Sequence, residues 1–303
     1  MKLVYSPAYE MDLGDHVFPT DKYRRIRDAL LSEGLVQESD FVEPPPADPA
    51  DILLVHTKEF VDDMLKLRWT SRTVRSELPL TEAIVAGYFL AASGTIVACR
   101  SALEDSRCVH LGGGFHHAFA DHGEGFCYVN DIAVGIRKMI QEERIKRAAV
   151  IDCDLHQGNG TARIFEDDEN VFTFSIHQEA LYPIKEESDW DIGLDDEVGD
   201  DEYLAKLGDA VPQILDDHQP ELVVYQAGAD PYMYDRLGGL RLTLGGLIER
   251  DKLLYDSCRQ RRIPIAAVLG GGYSLDTSDT VRIHANLVNV FLEKLPERST
   301  PDA

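Results

Sequence analysis

Short apolar runs rich in β-branched residues recur along this chain at 2–5, 107–111, 147–153, 170–176, 221–227 and 264–269. Between them stand longer helix-patterned segments, among them 81–104, 128–142, 203–218, 244–261 and 278–293. This alternation constrains the fold more than any other feature. Strands joined through helices pair in parallel, and a parallel sheet needs helices on both faces. One α/β domain is therefore expected over the 303 residues, a length ordinary for a large layered protein. Thr81 in "TEAI" (81–84) is the expected cap of a long helix. "EPPPADP" (43–49) reads as a connector too short to divide domains, and "EESDWDIGLDDEVGDDE" (186–202) as a solvated acidic loop. The tail from Pro296 onward is expected to fray.

Acidic residues number 54 against 30 basic ones, a net charge of -24. That balance disfavours nucleic-acid binding through a basic face and suits a cationic substrate. No unbroken apolar run reaches the roughly 18 to 20 residues of a membrane span. The N-terminus (MKLVYSPAYEM) has no apolar stretch of signal-peptide type. The 5 Cys form no C-x-x-C pair, so free thiols in a reducing cytoplasm are expected rather than a disulfide framework.

In a parallel sheet, sites form beyond the carboxyl ends of the strands. Those ends carry unusual residues here. Run 107–111 leads into Gly112-Gly113-Gly114-Phe115-His116-His117, and 147–151 into Asp152, Asp154 and His156. Run 170–174 leads into Ser175 and His177, 221–227 into Asp230, and 264–269 into Gly270-Gly271-Gly272-Tyr273. Asp154 and His156, two apart, share a strand face. With Asp230 they make two carboxylates and one imidazole, an open three-ligand set suited to a catalytic divalent ion. Zn²⁺ fits mixed oxygen and nitrogen ligands in tetrahedral geometry.

"GGGFHHA" (112–118), "GEGFCYVND" (123–131), "DCDLHQGNG" (152–160), "QAGAD" (226–230), "DRLGG" (235–239) and "LGGGY" (269–273) together resemble the motif series of the zinc-dependent histone deacetylase family, in its order and across nearly the whole chain. "HQGNG", "VHTKEF" (55–60) and "DRLGGL" most resemble the class IV branch and its bacterial relatives. The resemblance implies a single catalytic domain over 1–303 with the arginase/deacetylase fold, an eight-stranded parallel sheet between helices. It implies zinc on Asp154, His156 and Asp230, His117 as general base and then acid, and His116 as an electrostatic aid with Asp152 as partner. Tyr273 would donate a hydrogen bond to the substrate carbonyl. Gly125 would accept the substrate amide N–H, and Phe126 and Tyr182 would wall an acyl-lysine tunnel. A structural K⁺ would lie on backbone oxygens of Asp152, Asp154, His156 and Ile176 and on the Ser175 hydroxyl. The expected activity is hydrolysis of Nε-acyl-lysine, acetyl or long-chain, by a free-standing bacterial enzyme. Small acylated amines such as acetylpolyamines are the alternative substrates. A non-catalytic acyl-lysine binder is opposed by the intact set of His116, His117, Asp154, His156, Asp230 and Tyr273.

Two positions depart from common relatives. Asn159 stands where many family members have Asp. An amide cannot stabilise an imidazolium as a carboxylate does, so His117 is expected to be neutral at pH 7. Asn159→Asp should then move the acidic limb of the pH–rate profile upward; an unmoved limb would refute this. Arginase-type relatives bind two Mn²⁺ through extra carboxylates, which are missing here at Gly158 and Tyr232. A binuclear guanidine hydrolase is therefore disfavoured.

Overall fold

The computed structural model describes residues 1–294. Its central strands are the continuous apolar runs. β4 (Ala148–Asp152), β7 (Leu222–Gln226) and β8 (Ile265–Val268) are buried at every residue, because helices cover both faces. With β1 (Lys2–Val4), β2 (Phe41–Val42), β3 (Arg107–His110), β5 (Val171–Gln178) and β6 (Trp190–Leu194) they form one 8-stranded sheet in the order β2-β1-β3-β8-β7-β4-β5-β6. Every pairing is parallel. The α/β architecture with a single eight-stranded parallel sheet is thus as expected, and the tail from Pro296 lies outside the described residues.

The helices are α1 (Lys22–Ser32), α2 (Pro49–Ile52), α3 (Lys58–Leu65), α4 (Glu82–Asp105), α5 (Asp131–Gln141), α6 (Asn159–Phe165), α7 (Asp200–His218), α8 (Leu244–Arg261) and α9 (Thr277–Phe291). α4 packs against β1, β3 and β8 with α5 beside it, while α7, α8, α9 and α1 form a second packed series. Thr81 caps α4, its hydroxyl accepting from Ile84 N at 3.3 Å. By length and composition α4 could cross a membrane, although it contains no unbroken apolar run of that length. Its most apolar window is 72% buried in the protein, which makes it a core helix.

Two expectations are corrected. The stretch 186–202 is not one loop, since it holds β6 and the first turn of α7. β6 is an edge strand, half exposed and acidic, so it lacks the apolar run that marks the inner strands. Its pairing with Ser175–Gln178 extends β5. Ser175 and His177 therefore lie within β5 rather than beyond its end.

Candidate active site

Loops from the carboxyl ends of β3, β4, β7 and β8 meet at one place. β4 ends at Asp152, and the chain turns sharply there: Asp152 Oδ1 accepts from Asp154 N at 3.0 Å and Asp154 Oδ1 from His156 N at 3.1 Å. From β7, Asp230 Oδ1 accepts from Leu155 N at 2.9 Å. One ligand atom from each of Asp154, His156 and Asp230 lies within 4.8 Å of the others, all three residues being buried. Asp230 Oδ2 is buried with no hydrogen-bond partner, and it stands 3.2 Å from His156 Nδ1. A buried carboxylate oxygen facing an imidazole and a second carboxylate needs a cation. The donor set fits a divalent ion.

The GGGFHH segment is held from below by Asp131, at the start of α5. Its carboxylate accepts from Gly114 N at 3.0 Å and Phe115 N at 2.7 Å, and Thr95 Oγ1 donates to it. This aims both histidines at the cluster. His116 Nδ1 donates to Asp152 Oδ2 at 2.7 Å, and its Nε2 is 3.8 Å from Asp154 Oδ1. His117 Nδ1 is 2.7 Å from Asn159 Oδ1. Opposite, Gly271 N donates to Asp154 Oδ2 at 2.9 Å. A Cβ at Gly271 would collide with the Asp230 carboxylate, so only glycine permits this approach. Tyr273 follows, its N–H donating to Asp235 Oδ2 at 2.7 Å.

Gly125 and Phe126 adopt left-handed backbone, φ 51 and 63. Phe126 is anchored by Tyr88 hydroxyl donating to its carbonyl at 2.6 Å, and its ring lies 6.1 Å from that of Tyr273. Tyr182 is partly exposed, its ring 5.3 Å from His117 and 6.2 Å from His156. An outer cavity of about 290 Å³ is lined by Glu77, His117, Gly125, Phe126, His156, Leu181, Tyr182, Leu237 and Tyr273. It narrows to an inner one of about 20 Å³, bounded by Phe18, Phe115 and Gly270 together with the same histidines and Asp154.

Burial sets the protonation of this cluster. It pushes His117 well below the usual histidine value, helped by His116 and His156. Burial pushes Tyr273 well above its usual value, reinforced by Asp230 and Asp154, so its hydroxyl remains a donor. For His116 burial is outweighed by Asp152 and Asp154, which push it up to about 9. For His156 burial is outweighed by the facing carboxylates of Asp154 and Asp230, which push it up to about 10. Both lie above the ordinary ~6.5 of an unfolded chain, so the metal-free protein takes up protons on folding. Their stabilisation is complete below about pH 6.5 and is lost as pH rises. Above about 8 the buried Lys22, lowered to about 8 by burial although Asp230, Asp154 and Asp235 favour its charge, works the other way. The melting temperature of metal-free protein should therefore fall between about pH 7 and 8, above the range where the lowered His56, His110, His117, His177 and His284 contribute the opposite slope. A divalent ion, displacing the His156 proton, should reduce the slope. A flat or rising metal-free profile would contradict this charge arrangement.

The expected site residues His116, His117, Asp152, Asp154, His156, Asn159, Asp230, Tyr273, Gly125, Phe126 and Tyr182 are thus brought together. Ser175 and Ile176 sit beside them on buried β5, where Ser175 Oγ engages His177 Nδ1 at 2.9 Å. Several supporting groups carried no motif signal. Lys22, fully buried, donates to Gly270 O at 2.6 Å and places a cation behind the carboxylates. Arg250 donates to Gly228 O at 2.6 Å and Cys153 O at 3.3 Å, tying together the backbone just before Asp230 and Asp154. At Gly158 a Cβ would run into the Asp152 carboxylate that holds His116, so the second-metal carboxylate has no room there.

The comparisons agree with this geometry. The histone deacetylase domain model matches residues 16–288. An uncharacterized protein of Picosynechococcus is 38% identical over 94% of this chain and 96% of its own. Histone deacetylase 2 of Arabidopsis thaliana is 31% identical over 90% of this chain and 74% of its own. The crystal structure of a histone deacetylase homologue from Aquifex aeolicus superimposes with a TM-score of 0.84, covering 99% of this chain and 86% of that one at 24% identity, and so shares the fold. With the family model spanning nearly the whole sheet and the loops that build the buried Asp-His-Asp cluster, this chain belongs to the histone deacetylase domain family.

Proposed function

We propose that this protein is a zinc-dependent amidohydrolase that removes short acyl groups from Nε-acyl-lysine, as a single catalytic domain over residues 1–303. The observation that carries this reading is the buried Asp154-His156-Asp230 cluster at the floor of a tunnel shared with His117 and Tyr273. Bound there, zinc would supply a polarised carbonyl and a water of lowered pKa. His117, neutral and with Nδ1 against Asn159, would accept a proton from the attacking water at Nε2 and pass it to the leaving amine. Tyr273 donates to the carbonyl oxygen as charge develops on it. His116, its charge kept by Asp152, adds a fixed positive field. The Gly125 carbonyl accepts the amide N–H, while Phe126 and Tyr182 cover the apolar lysine stem. K⁺ on the Asp152, Asp154, His156, Ser175 and Ile176 oxygens, a class IV or bacterial affiliation, and a cytoplasmic location belong to the same proposal. The last is supported by five free, buried cysteines.

A short acyl group is the reading supported by the small inner cavity, about 20 Å³, whose lining includes Asp154 and His156 so that a bound ion would share it. Phe18 and Phe115, both buried with ring centroids 6.2 Å apart, close it. Acetyl and myristoyl forms of one lysine peptide, assayed with and without a zinc chelator, test the reading. Chelator-sensitive acetate release well above myristate release is expected. No release of either by zinc-loaded protein would overturn the enzyme reading, and dominant myristate release would overturn the short-acyl part. Phe18→Ala should shift the preference toward butyryl and longer groups, at least tenfold relative to acetyl.

A second reading, deacylation of small acylated amines, is favoured by Glu77 among the residues lining the outer cavity, an acidic group suited to a distal ammonium. N-acetylputrescine in the same assay, cleaved faster than the acetyl peptide, would promote it over the first.

A further inference from the structure

One carboxylate stands directly behind His117. Glu124 precedes the Gly125-Phe126 turn, and its side chain is 12% exposed. Its Oε1 accepts from Asn159 Nδ2 at 2.9 Å, and Asn159, itself 1% exposed, turns its Oδ1 to His117 Nδ1. The other oxygen accepts from Arg75 Nη2 at 2.8 Å and stands 3.5 Å from His122 Nε2. The Tyr182 hydroxyl lies 3.5 Å from Oε1. Burial opposes ionisation of Glu124, but His122, Asn159 and Arg75 outweigh it and hold the carboxyl below its ordinary value.

We propose that Glu124 is a positioning residue that sets the tautomer of His117 through the side-chain amide of Asn159. The two ends of an asparagine amide have nearly the same shape, so its partners decide its orientation. An ionised carboxylate only accepts, and therefore selects the NH₂ end. That leaves Oδ1 facing the imidazole. Oδ1 also only accepts, so the His117 proton sits on Nδ1 and Nε2 keeps its lone pair. Where Asp would do this directly, the pair Asn159 and Glu124 does it one amide further away, without placing a full negative charge on the base. Arg75 and His122 keep Glu124 from rotating away. The inference rests on the reading of His117 as general base for its consequence in catalysis, but the tautomer does not depend on that reading.

The test is ¹⁵N NMR of ring-labelled histidines in the zinc-loaded protein, with His117 assigned by difference from His117→Ala. Wild type should show a proton on Nδ1 and none on Nε2. Glu124→Met should mix the tautomers and lower kcat about tenfold, the effect of losing one hydrogen bond, with KM little changed. Glu124→Gln keeps a single accepting oxygen, contested by Arg75 Nη2 and Asn159 Nδ2, and should fall between wild type and Glu124→Met in both readouts. A pure Nδ1–H form in Glu124→Met would overturn the proposal. Should Glu124→Met fail to fold, Asn159→Asp supplies a second route. Alone it sets two carboxylates face to face, so Glu124→Gln/Asn159→Asp should melt higher than Asn159→Asp, and the opposite order would overturn the proposal. Tautomer exchange in a protein that hydrolyses no acyl amide would sink the proposed function and leave this inference standing.

Discussion

Asp230→Ala is expected to leave a folded protein without tightly bound zinc, with amide hydrolysis at background. Asp230 is the one ligand candidate contributed by β7, and its Oδ2 has no hydrogen-bond partner to lose. Without it two donors remain, Asp154 and His156, where catalytic zinc sites ordinarily use three protein ligands. In the metal-free fold the bond from Leu155 N, worth about 1 kcal/mol, and the pairing with His156 disappear, offset by relief of the repulsion between Asp154 and Asp230. His117→Ala is the contrasting variant. It should keep its zinc while kcat drops by ~10²–10⁴, the usual contribution of a general acid–base group. Metal content by atomic emission beside chelator-sensitive acetate release separates the two. One zinc per chain retained by active Asp230→Ala protein would remove Asp230 from the ligand set.

Arg250→Met is expected to lower stability by ~3–5 kcal/mol, the cost of breaking a buried ion pair by removing one partner. Arg250 is fully buried. Its Nε and Nη2 donate to Asp251 Oδ1 at 3.0 and 2.9 Å, and the Tyr225 hydroxyl donates to the same oxygen at 2.6 Å. Met would strand the Asp251 carboxylate and leave the Cys153 and Gly228 carbonyls without this donor. In a chain of this size the loss should appear as a fall of about 5–15 °C in melting temperature. Because those carbonyls precede Asp154 and Asp230, zinc affinity should weaken too. Arg250→Met/Asp251→Leu should recover part of the stability, since no unpaired charge remains. A double variant no more stable than the single one would show that the carboxylate is not what makes the loss large.

How much of this was legible beforehand depends on where each residue sits. β4, β7 and β8 could be read because burial on both faces demands unbroken apolar runs. β6 could not, because an edge strand exposed on one side tolerates Asp191 and the acidic residues around it. α6, seven residues opening on Asn159-Gly160, carries too short a pattern to stand out, and packing against α5 and β5 makes it a helix. Asp154 and His156 could be read as a pair because strand geometry relates positions two apart. Lys22, Glu124 and Arg250 look like any charged residue on a helix or turn until their burial is known.

The sequence by itself determined the parallel sheet and the residues gathered at its carboxyl edge, since local periodicity dictates which runs become buried strands and which residues follow them. The tertiary structure decided how closely Asp230 approaches Asp154 and His156, and it alone decided that Lys22 and Arg250 support them. It also decided that Glu124 backs Asn159 and that Phe18 lines the inner cavity. These are contacts between loops far apart in the chain. Their distances follow from how the helices seat on the sheet, which no local pattern encodes.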